Sequence, residues 1–146
     1  MAKKTLGVLS EKLEHTGLDR FFYPLLVISR EGGTLSQQSL SCILNSDKVT
    51  TLRIIDYLSK KGLVKRVVNK NDRREHLLTI TPKAEKIIPK IEKGFMEFEK
   101  DAFQGISKQD KASFMEIMNK VDANISLLPS RKIQVRMNYN KNKAAR

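Results

Sequence analysis

The sequence predicts a mainly α protein with one small β-hairpin set between helices. Apolar residues recur at helical spacing through most of the chain. Only two stretches read as β-rich, Leu63 to Val68 and His76 to Ile80, and the polar run Asn69-Lys70-Asn71-Asp72-Arg73-Arg74 joins them. Ser36, Thr81 and Ser107 stand where helices start, and Gly17 and Gly62 stand where helices stop.

Each element follows from local pattern. A first helix spans about Thr5 to His15, with Leu6, Leu9 and Leu13 on one face and Gly17 as its stop. A second runs from about Asp19 to Arg30. Pro24 is tolerated only in a first turn, so the helix starts later than Asp19 or bends. Glu31-Gly32-Gly33 ends it. Ser36 caps a short helix, Gln37 to Leu44, and Asn45-Ser46-Asp47 forms a turn. A longer helix covers about Asp47 to Lys61. Its inner face carries Thr51, Ile54, Ile55 and Leu58, while Lys48, Val49, Leu52, Arg53 and Asp56 point largely away. After the hairpin, Thr81 caps a helix that opens with Pro82 at the tolerated first position and runs to about Gln104. Ala84, Ile88, Ile91, Phe95, Phe98 and Ala102 form a coiled-coil-like seam along it, and Pro89 is expected to kink it. Ser107-Lys108-Gln109-Asp110 resembles a capping box and opens a last helix striped by Phe114, Ile117, Val121, Ile125 and Leu128. The expected organisation is one domain over 1–128, with its hairpin-bearing part at about 19–81 and flanking helices at about 5–16 and 82–128. A basic tail over 129–146 is expected to be flexible.

The 146 residues carry a net charge of +12 and a pI near 9.9, which favours a polyanionic partner. The excess is local: residues 1–44 carry +1, residues 45–81 carry +5, residues 82–128 carry 0 and residues 129–146 carry +6. Cys42 is the single cysteine, so an internal disulfide is excluded, and a reducing cytoplasm is expected. No apolar run approaches the roughly 20 residues of a membrane span. Glu11 and Glu14 interrupt the N-terminal stretch too early for a signal-peptide core. His15 and His76 have no Cys/His cluster near them, so no metal or cofactor is expected. No catalytic constellation stands out, which argues against an enzyme.

Short helix, turn, longer helix, β-hairpin is the order of a winged helix-turn-helix. The apolar helices flanking it on both sides carry more apolar face than one small domain needs. Leu6, Leu9 and Leu13 in front and Phe114, Ile117, Val121 and Ile125 behind are therefore candidates for a dimer interface.

Three stretches resemble the MarR family of bacterial regulators. The run from Asp47 to Val64 looks like a recognition helix leading into the strand start Lys60-Lys61-Gly62-Leu63-Val64. Asp72-Arg73-Arg74 matches the wing signature, and Leu78-Thr79-Ile80-Thr81 precedes the long helix. With the helix layout, the resemblance covers about residues 5–128. Departures are Ala84 where the family usually has Gly, Pro89 in the long helix, and Val49 and Leu52 where small polar residues are common. The resemblance implies a homodimeric repressor on duplex DNA, with a small aromatic or phenolic ligand that favours a non-binding dimer. It also implies that Arg74 enters the minor groove while Asp72 orients the wing by pairing with a nearby arginine.

The residues themselves supply contact chemistry. A helix in the major groove presents its N-terminal half to base edges, here Ser46, Lys48, Val49, Thr50, Leu52 and Arg53. Lys48 or Arg53 can bond guanine O6/N7 or reach phosphate. Val49, Leu52 and the Thr50 methyl either meet thymine methyls or, with a shifted helical phase, pack inside. Lys70, Arg73 and Arg74 at the wing tip suit a minor groove or remain a solvated turn. Ser36, Gln37 and Gln38 either touch phosphate or simply cap. Cys42 is read as a passive small residue. The alternative function is a winged-helix module for protein interaction or non-specific nucleic-acid binding.

Overall fold

The computed structural model describes residues 2–18 and 20–129, so the tail from residue 130 onward lies outside the described residues. Elements follow in the order α1 (Ala2–Lys12), a 3-10 turn (Glu14–Thr16), α2 (Phe22–Arg30), β1 (Leu35–Ser36), α3 (Gln37–Ile43), α4 (Lys48–Lys60), β2 (Val64–Val68), β3 (His76–Ile80), α5 (Pro82–Ala102) and α6 (Lys108–Ser126). The chain forms two compact units, one ending at Gln104 and one beginning at Gly105.

The first unit packs its helices and a three-stranded antiparallel sheet, ordered β1-β3-β2, around one core. Leu13, Leu25, Ile28, Leu40, Ile55, Leu58, Leu63, Leu78 and Ile91 are fully buried there. In α4 the buried residues are Thr51, Ile54, Ile55 and Leu58, the face expected from the spacing. Gly62 closes that helix in a left-handed conformation (φ 72°), which L side chains adopt only with strain. The Leu63 N–H then bonds the Leu58 carbonyl, and the chain turns directly into β2. Thr81 links this turn to α5: its hydroxyl donates to the Gly62 carbonyl at 2.7 Å and accepts from the Ala84 N–H at 3.3 Å.

Several expectations are corrected. The first helix ends at Lys12, and a 3-10 turn carries the chain to Gly17 (φ 71°). The Thr16 hydroxyl donates to the Leu13 carbonyl and helps close that turn. The second helix takes the later of the expected starts, at Phe22, which puts Pro24 in its first turn, where the missing N–H costs nothing. The strand β1 went unforeseen because two residues cannot show alternation; it pairs Leu35 with Leu78 and Ser36 with Leu77.

The largest correction concerns the apolar stripes. Leu13 is 0% and Leu9 8% exposed within the chain's own core, so neither has surface left for a partner. Leu6 is exposed. In α5, Ala84, Ile88 and Ile91 are buried in the same core, Phe95 and Phe98 pack against it, and Ala102 is exposed. Much of the coiled-coil-like seam therefore faces inward. Gly94 of α5 gives room to Leu13, just after α1, because a Cβ there would collide with the Leu13 side chain. Lys12 and Asp101 join α1 to α5 at 2.7 Å. Their mutual hydrogen bond raises the Lys12 pKa and lowers that of Asp101.

The second unit carries α6. Ser107 caps it, accepting from the Asp110 N–H at 3.1 Å and donating to the Asp110 carboxylate at 2.6 Å. Phe114, Ile117, Val121 and Ile125 are all exposed on it.

Candidate nucleic-acid interface

The helix-turn-helix is held by one buried threonine. Thr51 Oγ1 accepts from the Ser41 hydroxyl of α3 at 2.7 Å, lies 2.7 Å from Ser46 Oγ in the turn, and donates back to the Asp47 carbonyl at 3.0 Å. This network sets the angle between α3 and α4 from inside, where a lost partner would leave a polar group stranded. It also commits the hydroxyl of Ser46, an expected base-reading residue, to Thr51.

Asp47 caps α4. Its carboxylate accepts the Thr50 N–H at 2.9 Å and the Thr50 hydroxyl at 2.7 Å. Those bonds, the backbone one foremost, hold its pKa below the ordinary carboxylate value. The charge also lies at the positive end of the helix dipole.

Beyond that cap, Lys48, Val49, Thr50 and Arg53 are exposed, and Leu52 is half-buried. The helical phase is therefore the outward one, and Val49 is 57% exposed. At the start of α3 the Ser36 side chain is buried and committed to the cap, accepting from the Ser39 N–H at 3.1 Å and lying 3.0 Å from Ser39 Oγ. Gln37 is half-buried and Gln38 exposed. Cys42 is exposed on α3.

The wing is a closely bonded loop. The Asn69 N–H donates to the Glu75 carbonyl at 2.9 Å, and Asn69 Nδ2 donates to the Glu75 carboxylate at 2.8 Å. The Asn71 N–H returns to Asn69 Oδ1 at 3.0 Å. Asp72 departs from expectation: its carboxylate accepts the Arg74 backbone N–H at 2.9 Å instead of pairing with a guanidinium. It shapes the turn as an Asx-type contact. Lys70, Arg73 and Arg74 are exposed at the tip.

One contact escaped sequence reasoning. Arg66 of β2 donates to Asp56 of α4 at 2.6 Å, tying the wing to the outward face of the neighbouring helix. The helical spacing puts Asp56 on that face, but nothing in local spacing pairs it with a strand residue across a turn. Also unforeseen is the packing of the Arg20 guanidinium over the Phe21 and Tyr57 rings, at 5.2 and 4.8 Å from their centroids.

Acidic groups in this region thus face partners: Asp47 its cap, Asp56 its arginine, Asp72 and Glu75 the wing backbone and Asn69. The basic side chains Lys48, Arg53, Lys65, Lys70, Arg73 and Arg74 are exposed. The outcome is a positive surface spanning a helix and an adjacent hairpin.

Comparison with known proteins agrees with this arrangement. The MarR family model matches residues 23–76, from α2 to the start of β3. The HTH-type transcriptional regulator YwoH of Bacillus subtilis is 30% identical over 108 residues, covering 74% of this chain and 78% of YwoH. The transcriptional repressor MprA of Escherichia coli is 29% identical over 93 residues, covering 62% of this chain; the match spans only 53% of MprA. A MarR-family transcriptional regulator of Listeria monocytogenes, solved with a 26mer DNA, has a TM-score of 0.76 at 26% identity, covering 86% of this chain and 83% of that one. The chain belongs to the MarR family of winged-helix transcriptional regulators, which are DNA-binding proteins and not enzymes.

Proposed function

We propose that the chain is a homodimeric, cytoplasmic repressor that binds a pseudo-palindromic operator in duplex DNA and is released by a small aromatic or phenolic ligand. The observation that carries the reading is the exposed outward face of α4 beside a wing whose tip holds Lys70, Arg73 and Arg74. In this reading α4 enters the major groove, Lys48 and Arg53 reach base edges or phosphate, and Arg74 enters the minor groove. Gln37 and Gln38 lie close to the backbone at the start of α3. The apolar face of α6 pairs the two subunits, so that their recognition helices meet half-sites about one helical turn apart; Leu6 is a separate exposed apolar candidate on α1. Repression is supported by the likeness to MprA, and the ligand by the family resemblance alone. Among the described residues, no helix is long and apolar enough to cross a membrane.

Gel-shift titration of the full chain against duplexes enriched from a random library tests this. Affinity is expected to fall steeply with salt and to favour a palindrome. Arg74→Ala is expected to weaken binding about tenfold or more while the dimer persists in size-exclusion chromatography, since one lost groove contact is worth about 1–3 kcal/mol. Binding indifferent to DNA sequence would overturn the proposal, and unchanged affinity of Arg74→Ala would remove the wing role. The ligand is tested by adding simple aromatic carboxylic acids to the preformed complex, where release at constant salt is the expected result.

A further inference from the structure

We propose that Val49 reads the C5-methyl of pyrimidines in the major groove, so that α4 selects thymine by apolar contact instead of hydrogen bonding. The inference rests on the reading of α4 as the groove helix.

At 100° per residue, Val49, Arg53, Asp56 and Lys60 lie along one line, opposite the buried face of Thr51, Ile54, Ile55 and Leu58. Of these four, only Val49 lies in the first turn, the part of a recognition helix that meets base edges. A lone exposed valine is ordinary on a protein surface. This one is set apart by what its neighbours do. The Thr50 N–H and hydroxyl proton are both committed to the Asp47 carboxylate. Ser46 is turned to Thr51, and Asp56 is held by Arg66. At the first turn of the helix, the Thr50 hydroxyl proton, the Ser46 hydroxyl and the Asp47 carboxylate are thus engaged internally. What remains outward is an aliphatic side chain flanked by two cations, Lys48 and Arg53. The cations supply attraction to phosphate or to guanine, while the aliphatic group suits one feature of the groove. Thymine displays a C5-methyl beside its O4 acceptor, and uracil lacks only that methyl. 5-Methylcytosine carries the same methyl on a C·G pair.

The test uses the full chain and a duplex enriched by it from a random library. Each thymine of the half-site is replaced in turn by deoxyuridine, in both halves symmetrically. One position is expected to lose about fourfold in affinity per methyl, roughly fifteenfold for the pair, from the transfer of a buried methyl. At that position a 5-methylcytosine·guanine pair is expected to bind more tightly than cytosine·guanine. Val49→Ala, a change at an exposed site, is expected to bring the thymine-to-uracil ratio close to one while thermal unfolding stays as in the parent. Equal binding of thymine and uracil duplexes at every position overturns the inference, and so does an unchanged ratio in Val49→Ala. Enrichment of a defined duplex without methyl sensitivity leaves the repressor reading standing and removes this one. A library that yields no enriched sequence removes both.

Discussion

Asp47 shows how one side chain arranges a binding face. Its carboxylate takes two protons from Thr50 and closes the N-terminus of α4 with a negative charge. A second anion is thereby disfavoured at the helix end, and the outward side chains of the following turn stay exposed. The lowered pKa has a defined consequence for stability. A carboxylate with a depressed folded pKa contributes stability that is complete above its ordinary value of 3.8 and is lost as pH falls through the lower folded value. Asp47→Ala is therefore expected to lower the melting temperature at about pH 7, with the gap to the parent narrowing below about pH 4. Parallel melts across that range check it, and a gap independent of pH would mean that the cap acts without its charge. Residue-level chemistry was partly legible in the sequence. The caps at Ser36, Thr81 and Ser107 declare themselves by residue type and position. The bond between Ser46 and Thr51 and the backbone contact of Asp72 do not, because each depends on a partner whose direction the spacing leaves open.

Between elements, the tightest constraint is the approach of α1 and its 3-10 turn to α5. Leu13 sits against Gly94, where any Cβ would collide with it. Gly94→Val is expected to destabilise the protein by about 2 kcal/mol, because overpacking beside a fully buried leucine outweighs the few tenths gained in helix propensity. Adding Leu13→Ala is expected to recover part of that loss, so the pair departs from additivity. Denaturant unfolding of the two single variants and the double variant checks it, and strict additivity would show that the contact is looser than it stands here. The outward tie of Arg66 to Asp56 is of another kind. Both side chains are partly exposed, so it contributes little to stability. Its effect is on where β2 stands relative to α4. The element order was readable from periodicity and punctuation, whereas β1 was too short to carry a pattern.

At the level of the whole molecule, the exposed face of α6 is the feature to test. Phe114, Ile117, Val121 and Ile125 lie together at helical spacing, in a helix without a buried residue. Joint Ile117→Glu and Val121→Glu replacement is expected to give a monomer by light scattering. Operator affinity is expected to fall about 100-fold or more, because the second half-site no longer profits from linkage to the first. A dimer that persists would move the interface elsewhere. The central positive segment, residues 45–81, was located by counting charges, and it is where the exposed cations of α4 and the wing gather. Helix order, most boundaries, the inner face of α4 and the position of that basic surface could be read along the chain, because each depends on neighbours within a turn or two. The partner of each apolar stripe could not. Leu9, Leu13 and the front of the α5 seam resemble dimer surfaces in one dimension and belong to the chain's own core in three. Only the folded packing decided which leucines were enclosed, because burial depends on what a distant segment brings against them, as Gly94 of α5 gives Leu13 its room.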